Sequence, residues 1–323
     1  MAETTGWIDC DDGAKLFVRR WTAGTEKPAA LILLVHGMAE HSQRYSRLAA
    51  ALCSRGFEVW AADMRGHGKT ADKAVNDAGK GGLLGHCADK NGFFRAVEDL
   101  RTVNRYIADK TAAEYGALPF FILGHSWGSF LVQAYIENPA KELPLAGCIL
   151  SGTRGPGGLK IAFGAHLLDL IALLKGKRKI SKIAVALSMG SYDKPFRPNR
   201  TPNDWLSRDE KEVDAYEADP LCGFDCSSGF YRDMIKAFAA IHRKKAIARI
   251  DRNLPVYIFC GSADPVGDMG ASPTALVNAY RSHGIGNLEF VVYPEARHEP
   301  LNETNREEVT EDLLNWLNRR VKN

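Results

Sequence analysis

The most constraining feature of this sequence is a Gly-x-Ser-x-Gly motif at residues 124–128, which lies between two stretches of different character. The apolar run at 120–123 has strand character, whereas residues 130–135 can continue as a helix. A strand, a tight turn through a serine and a helix together form a nucleophile elbow. The two glycines lack a Cβ, so strand and helix can approach closely. The sequence therefore predicts that Ser126 projects from the carboxyl end of a strand.

Strand-like and helix-like segments alternate through most of the chain. After a pair of strands within residues 7–22, further strands are predicted at 29–35, 57–62, 120–123, 145–150, 256–260 and 288–293. The continuously apolar run at 29–35 is typical of a strand that is buried on both faces, as in a parallel sheet. Helical patterns lie between the strands, the longest at 93–115, and a single helix is expected at 229–249. This order predicts an α/β fold with a mostly parallel central sheet and helices on both faces.

The alternation stops after the strand at 145–150. Residues 153–228 contain helix-like apolar stretches, a proline-rich loop and an acidic run, but no convincing strand. We expect this segment to be a helical cap that is inserted over the carboxyl edge of the sheet. The core is then formed by residues 1–152 and 229–323, a size that suits one large domain with an insertion.

Composition excludes several classes of function. The formal net charge is only +3, and no stretch interleaves basic and aromatic residues, which argues against a nucleic-acid partner. Cys222 and Cys226 are close in sequence, but no second pair or histidine cluster completes a metal site, so no metal is expected. No nucleotide-binding or phosphate-binding glycine motif is visible, so no cofactor is expected either.

The cysteine pattern and the first residues bear on location. The seven cysteines are odd in number and scattered, which is typical of free thiols in a reducing compartment. The first residues lack the basic and apolar regions of a secretory signal, and no run of 18 apolar residues could span a membrane. These features predict a cytoplasmic protein.

A serine hydroxyl is a weak nucleophile at neutral pH and needs a base, which in turn needs an orienting acid. In sheets of this kind the acid and then the histidine follow the serine in the chain, each in a loop after a strand. Asp264 and His298 each follow a predicted strand, so both are expected at the same sheet edge as Ser126. Asp268 lies in the same loop as Asp264, but its position there is less favourable.

The loop after the first central strand reads His-Gly-Met-Ala-Glu-His-Ser at residues 36–42. Such a loop supplies one of the two amides that stabilise an oxyanion, and the residue after the nucleophile supplies the other. We therefore expect the amides of Met38 and Trp127 to be the oxyanion donors, with Gly37 beside the substrate. The histidines of this loop precede the serine in the chain, which favours a structural role for them.

Five motifs together resemble the α/β-hydrolases of the monoacylglycerol lipase and lysophospholipase family. They are His-Gly-Met-Ala-Glu-His-Ser at 36–42, Asp-Met-Arg-Gly-His-Gly at 63–68, Gly-His-Ser-Trp-Gly at 124–128, Gly-Ser-Ala-Asp at 261–264 and His298. They occur in the family's order and spread over nearly the whole chain. The resemblance implies the α/β-hydrolase fold with a helical cap. It also implies a catalytic triad of Ser126, Asp264 and His298.

Members of the family hydrolyse monoacylglycerols, lysophospholipids or simple carboxylic esters without a cofactor. The resemblance thus implies a small acyl ester as the substrate of this serine hydrolase. One position departs from the family pattern, because Trp127 stands where such lipases often carry Met. We expect its bulky ring to narrow the acyl pocket.

The predicted cap contains an apolar segment with a basic tail. The apolar residues are Leu159, Ile161, Phe163, Leu167, Leu168, Leu170, Ile171, Leu173 and Leu174, and the basic residues are Lys175, Lys177, Arg178, Lys179 and Lys182. We expect Leu167, Leu168 and Ile171 to bind the acyl chain. A segment of this kind also fits a lid that makes transient contact with an anionic membrane surface. The alternative is a lid helix packed on the core with a solvated basic loop.

Two other functions stay open at this point. The Ser-Trp-Gly-Ser sequence at 126–129 also suits an aminopeptidase of the proline iminopeptidase kind, in which Glu210, Glu212 and Glu217 are available to hold a free amine. The fold can also serve as a non-catalytic binding module, although such proteins commonly lose a member of the triad. A haloalkane or epoxide hydrolase is disfavoured because those enzymes use Asp at the elbow.

Overall fold

The computed structural model describes residues 1–24 and 27–321, except for the side chains of residues 158–163. Within these residues eight strands form one sheet: β1 (Ala2–Asp9), β2 (Lys15–Thr22), β3 (Ala30–Val35), β4 (Phe57–Ala62), β5 (Phe120–His125), β6 (Leu145–Ser151), β7 (Val256–Gly261) and β8 (Leu288–Tyr293). Their order is β1-β2-β4-β3-β5-β6-β7-β8. β1 and β2 run antiparallel to their neighbours, and the remaining six strands are parallel to one another. The predicted, mostly parallel sheet is confirmed.

The central strands are apolar throughout because both of their faces are covered. All six residues of β3 are buried, and successive side chains enter different hydrophobic clusters. Leu31 and Leu33 belong to the cluster that contains Leu100, whereas Ile32 and Leu34 belong to the cluster that contains Leu313. This alternation follows from the period of two in a strand. It places one apolar layer on each side of the sheet, as predicted.

The part of the chain that the structure describes contains ten α-helices. They are α1 (Ser46–Ser54), α2 (Gly92–Tyr115), α3 (Trp127–Ile136), α4 (Gly158–Lys175), α5 (Lys182–Met189), α6 (Glu210–Ala218), α7 (Ser228–Ile241), α8 (Lys244–Ile247), α9 (Ala271–Ser282) and α10 (Arg306–Val321). The expected single helix at 229–249 is interrupted at His242 and continues as the short α8. None of these helices is long and apolar enough to cross a membrane.

Five helices, α4 to α8, lie between β6 and β7, and α4 to α6 lie in the segment where the sequence indicates an insertion. α4 packs against α7 and α5, and α7 also contacts α2 and α3 of the sheet's helical layer. α7 therefore joins the inserted helices to the layer below. The division into a core of residues 1–152 and 229–323 and a cap of residues 153–228 stays a prediction.

Candidate active site

Ser126 occupies a strained turn between β5 and α3. Its backbone has φ 51° and ψ −123°, a conformation that is uncommon for a residue with a side chain. The turn leaves no room for other residues at its flanks, because a Cβ at Gly124 would lie 2.6 Å from the carbonyl oxygen of Gly128. The Ser126 amide donates to the Ser151 carbonyl at the end of β6, at 2.9 Å. The sequence-predicted elbow thus presents the Ser126 hydroxyl at the carboxyl edge of the sheet.

Two loops from more than 130 residues further along the chain meet Ser126 there. His298 Nε2 lies 2.8 Å from Ser126 Oγ, and His298 Nδ1 lies 3.0 Å from Asp264 Oδ1. Asp264 and His298 are both buried. Asp268, the competing acid of the same loop, instead pairs with Arg154 and is 57% exposed. The structure therefore brings together the serine, the acid and the histidine that the sequence singles out.

The hydrogen bonds fix where the protons lie. A neutral imidazole that faces a carboxylate with Nδ1 donates from that nitrogen and accepts the serine hydroxyl proton at Nε2. Burial alone would lower the pKa of His298, but the charge of Asp264 and the hydrogen bond that His298 donates to it raise that pKa above its usual value. His298 is thus a stronger base than an isolated buried histidine would be.

His36 controls the peptide that precedes Met38. The Met64 amide donates to His36 Nε2 at 2.9 Å, so the proton of this ring lies on Nδ1, which donates to the Gly37 carbonyl at 2.8 Å. The carbonyl and N–H of a trans peptide point in opposite directions. The bond from His36 therefore turns the Met38 N–H away from the imidazole. Burial lowers the pKa of His36, which keeps this ring neutral.

The two amides expected to hold an oxyanion are free to do so. Neither the Met38 nor the Trp127 amide donates a hydrogen bond to any protein acceptor among the residues that the structure describes. Trp127 is the first residue of α3, and the first N–H groups of a helix have no intrahelical partner. The partial positive charge of the helix N-terminus adds to the attraction for an anion at this point.

A cavity of about 350 Å³ opens above Ser126 and His298. Its walls are mainly apolar and come from the loop after β3, from α3, from the inserted helices and from α7. The apolar wall residues are Met38, Trp127, Phe130, Leu167, Leu168, Leu187, Met189, Trp205, Leu206, Met234, Ile235, Phe238 and Val266. A mainly apolar cavity that also contains polar groups is typical of a small-molecule site.

Of the residues predicted to contact substrate, three line the cavity and one does not. Gly37, Leu167 and Leu168 line the cavity. Ile171 does not line it and is buried in the hydrophobic core instead. The side chains of the other predicted apolar residues at 159–163 lie outside the described residues.

Although Trp127 has a large ring, this ring does not occupy the cavity. Its ring stacks on His67 at 5.0 Å between centroids and contacts Phe230 at 5.1 Å. Only 1% of the residue is exposed, so its bulk lies within the core and takes little space from the cavity. The expected narrowing of the pocket therefore has no basis in this packing.

Comparison with known proteins gives the same result as the geometry. The family model described as serine aminopeptidase, S33, matches residues 26–305, most of the chain. The chain belongs to this family. It is 28% identical to a monoacylglycerol lipase of Mycolicibacterium smegmatis over 306 residues, which cover 94% of this chain and 93% of the relative. It is 30% identical to the human monoglyceride lipase over 266 residues, with 80% and 72% covered.

A solved structure agrees with the family assignment. A thermostable carboxyl esterase from Bacillus coagulans, crystallised in complex with glycerol, superposes with a TM-score of 0.87 at 26% identity and 99% coverage of both chains. The sequence-based assignment to the α/β-hydrolase fold and to the monoacylglycerol lipase-like family is confirmed.

One contact of the site could not be read from the family motifs. The Trp205 ring packs against the His298 ring at 5.1 Å between centroids, and the Trp205 carbonyl accepts from the His298 amide at 3.3 Å. Trp205 lies in the loop before α6, far from any motif, and its apolar character was the sole signal in the sequence. This residue buries the imidazole from the side of the inserted helices.

A mixed group of possible metal ligands lies near the oxyanion loop. His41 Nε2, a carboxylate oxygen of Asp219 and the Cys222 sulfur lie within 4.8 Å of one another. His41 and Asp219 already satisfy each other by a 2.9 Å hydrogen bond, and burial keeps the Cys222 thiol protonated by raising its pKa.

All seven cysteines are free and buried. A cytoplasmic location stays a prediction.

Proposed function

We propose that this protein is a serine hydrolase that cleaves monoacylglycerols and related carboxylic esters through an acyl-enzyme on Ser126. The single observation that carries the proposal is the hydrogen-bonded chain from Ser126 through His298 to Asp264 at the floor of an apolar cavity. Hydrolysis of carboxylic esters is the activity of the family's monoacylglycerol lipase and carboxyl esterase members, and the protein is an enzyme of this class.

The proposed reaction has two steps. In the first step His298 Nε2 takes the Ser126 proton while Oγ attacks the ester carbonyl, and the same proton then passes to the alcohol oxygen as the C–O bond breaks. In the second step a water gives its proton to His298 and its oxygen attacks the acyl carbon; the bond from that carbon to Ser126 Oγ then breaks, Oγ takes the proton back from His298, and the carboxylic acid leaves. Asp264 holds the imidazole in one tautomer and stabilises the imidazolium that forms in both steps.

Negative charge develops on the carbonyl oxygen in each step. The free amides of Met38 and Trp127 are proposed to donate to this oxygen. His36 fixes the orientation of the first donor through the Gly37 carbonyl, and the start of α3 fixes the second. The removal of one such donor typically costs about a hundredfold or more in turnover.

The shape of the cavity supports an acyl ester as the substrate. Leu167, Leu168 and Phe238 are apolar wall residues that suit an alkyl chain, and the same cavity also presents polar groups such as Ser126 and His298. A monoacylglycerol likewise combines one long apolar arm with a compact polar alcohol. Lysophospholipids and simple acyl esters share the acyl arm and belong to the same proposal.

An aminopeptidase is the second candidate, because the family model carries that description. Such an enzyme needs an unpaired carboxylate for the free amine. Glu212 pairs with Arg47, Glu217 accepts from Asn203, and neither these two nor Glu210 lines the cavity. The carboxylates that do line it, those of Glu40 and Glu299, are both paired with Arg44. The cavity thus favours an ester over an aminoacyl amide.

An exposed apolar surface leads into the same cavity. Its residues are Leu170, Leu173, Leu174, Ile180, Ile183 and Leu187, each at least half exposed. Leu173 and Leu174 reach 80% and 73% exposure near the end of α4, whose other face packs against α7. Leu187 also lines the cavity, and the basic residues at 175–182 lie next to this surface in the chain. We propose that it makes transient contact with an anionic membrane, from which the lipid substrate enters.

Vesicle flotation tests the contact with membranes. Vesicles of phosphatidylcholine with added phosphatidylglycerol should carry the protein upward, and pure phosphatidylcholine vesicles should carry less of it, since both apolar and basic residues contribute. A variant with Leu173→Asp and Leu174→Asp should stay at the bottom while it still hydrolyses a soluble ester. Absence of flotation with both kinds of vesicle would remove this part of the proposal.

Hydrolysis of p-nitrophenyl esters from acetate to palmitate, with a monoacylglycerol alongside, tests the function itself. We expect activity on medium or long acyl chains and a fluorophosphonate adduct on Ser126. Ser126→Ala should abolish both the hydrolysis and the adduct, and Ser54→Ala, an exposed serine at the end of α1, should change neither. An adduct on the Ser126→Ala protein would show that Ser126 is not the nucleophile. Activity on aminoacyl amides with none on esters would favour the aminopeptidase.

A further inference from the structure

A buried ion cluster, of which Glu40 and Glu299 line the cavity, lies beside the three proposed catalytic residues. The Arg44 guanidinium donates to Glu40 at 2.6 Å and to both oxygens of Glu299 at 2.8 Å each. The side chains of Glu40, Arg44 and Glu299 are 2%, 12% and 5% exposed, so solvent screens these charges little. Two carboxylates around one cation are costly to bury unless every group is paired.

Its two ends reach the two loops of the proposed mechanism. Glu40 Oε1 accepts from the Gly37 amide at 2.5 Å, so this carboxylate holds the residue before Met38, a proposed oxyanion donor. Glu299 follows His298, the proposed base, in the chain, and its amide donates to the Leu206 carbonyl at 2.8 Å. Arg44 is the bridge between them. The oxyanion loop and the histidine loop are therefore joined through one guanidinium.

Further hydrogen bonds make each end of the cluster rigid. Tyr45 donates its hydroxyl to Glu40 Oε1 at 2.9 Å, and Asn302 donates to Glu299 Oε2 at 2.8 Å. Burial alone would raise the pKa of Glu299, but Arg44 lowers it to about 2, so this carboxylate stays ionised throughout the neutral range. The bidentate geometry between Arg44 and Glu299 fixes orientation as well as distance.

We propose that Glu40, Arg44 and Glu299 act as positioning residues that set the spacing between the Met38 amide and His298. The inference rests on the proposed function, since it assigns the cluster to the same oxyanion donor and base. The cluster touches no reacting atom and acts through Gly37 and the His298 main chain. A displacement of about 1 Å at a reacting centre can cost about a hundredfold in rate, so the loss of this bridge should appear in the rate of the chemical step.

A merely structural cluster would give a different result. The chain offers a matched control in Arg20 on β2, which bridges Glu58 of β4 and Glu114 of α2. Arg20 does not line the cavity. Arg20→Met removes the same kind of two-carboxylate bridge, so it should lower stability without an effect on the chemistry of Ser126.

The test compares Arg44→Met, Arg44→Lys, Glu40→Gln and Glu299→Gln with Arg20→Met. For each variant, kcat and KM on p-nitrophenyl butyrate, the rate of fluorophosphonate labelling and the inhibition constant of a trifluoromethyl ketone are measured per folded protein. Serine adds to that ketone to form a hemiketal, and the adduct places an oxyanion at the two amides. We expect Arg44→Met to lower kcat and the labelling rate about tenfold to a hundredfold and to weaken the ketone equally, with KM nearly unchanged.

The remaining variants sharpen the outcome. Arg44→Lys should recover part of the rate, since one ammonium can pair with only one carboxylate well. Glu40→Gln and Glu299→Gln are nearly isosteric and give an answer even where Arg44→Met does not fold. Variants with normal kcat, normal labelling and normal ketone binding, whatever their melting temperature, would overturn the proposal. If the wild-type protein is labelled at Ser126 but hydrolyses no ester, the proposed function is contradicted. The labelling rates of the variants would still test the role of the cluster.

Discussion

His298 must be neutral to accept the Ser126 proton, yet the Asp264 carboxylate beside it favours the protonated form. Burial alone lowers the pKa of this imidazole, and the carboxylate more than reverses that effect, so the net shift is upward. A base with a raised pKa accepts the proton more readily once it is neutral. The consequence is that His298 becomes protonated, and the protein loses activity, at a higher pH than an ordinary histidine would cause.

We expect kcat/KM to fall as pH drops through the raised pKa of His298, with the inflection above the ordinary histidine value of 6.5. Asp264→Asn should move this inflection to lower pH, because burial then acts without an opposing charge, and should reduce kcat by about 10⁴-fold through the wrong tautomer. The pH profile of p-nitrophenyl butyrate hydrolysis checks both effects. Asp268→Asn, in the same loop, should leave the profile unchanged, and an unmoved inflection in Asp264→Asn would contradict the assignment.

The residues of the site differ in how far the sequence could predict them. Ser126, Asp264 and His298 follow from a local motif and a rule of chain order, and the structure places them in one hydrogen-bonded chain, although their roles stay proposals. Trp205 and the pairing of Arg44 with Glu299 could not be predicted in this way. Such contacts join loops that are far apart in the chain, and no local pattern encodes which loop faces which.

At the scale of elements, α3 lies very close to the sheet, because the elbow turns directly into it. A Cβ at Gly128 would overlap the carbonyl oxygens of Val35 and His36 at the end of β3. These are backbone atoms of a strand that pairs with β4 and β5, so they cannot move aside without disturbing the sheet. The spacing of the glycines in the motif therefore reflects packing as well as the serine turn.

Gly128→Ala should destabilise the protein by about 2 to 3 kcal/mol or prevent its folding, because an added methyl group in a filled site forces backbone shifts. Urea unfolding followed by circular dichroism measures this change. Gly286→Ala serves as the control, since a Cβ there meets nothing within 4 Å, and it should stay close to the wild type. Equal stabilities for the two variants would show that α3 and β3 can separate.

Elements of the sheet were easier to predict than the helices above it. The apolar runs of β3, β5 and β7 are buried on both faces, and the sequence places each of them within a residue or two. The helix expected at 229–249 is instead two helices, because His242 ends α7 and Arg243 begins a new turn. α7 also lines the cavity, although the predicted boundary assigns it to the core. Helical periodicity shows an apolar face but not what that face covers.

The whole molecule carries buried ionisable groups whose pKa shifts oppose one another. Burial lowers the pKa of His67 to about 3 and that of His125 to about 4, so both rings stay neutral in the folded protein. Burial raises the pKa of Glu137 to about 7, even though this carboxylate pairs with Arg249. The unfolded chain returns each group to its ordinary pKa, near 6.5 for the histidines and 4.5 for the glutamate.

The signs of these shifts decide how stability depends on pH. Below pH 6.5 the unfolded chain takes up protons on His67 and His125 that the folded protein cannot bind, so the free energy of unfolding falls as pH falls. Between about pH 7 and 4.5 the folded protein binds a proton on Glu137 more readily than the unfolded chain does, which stabilises it. The two histidine shifts together exceed the single glutamate shift. The histidines should therefore determine the net slope.

We expect the free energy of unfolding to fall by a few kcal/mol as pH falls from neutral to about 4.5. Urea unfolding at several pH values gives this slope directly. His67→Gln removes one proton that the unfolded chain takes up at acidic pH, so it should make the slope shallower. Glu137→Gln removes the proton that the folded protein binds more readily than the unfolded chain, so it should make the slope steeper. Opposite changes in slope are the decisive result, because a general loss of packing would lower stability equally at every pH. Parallel curves for both variants would mean that neither buried group controls the acid stability of the fold.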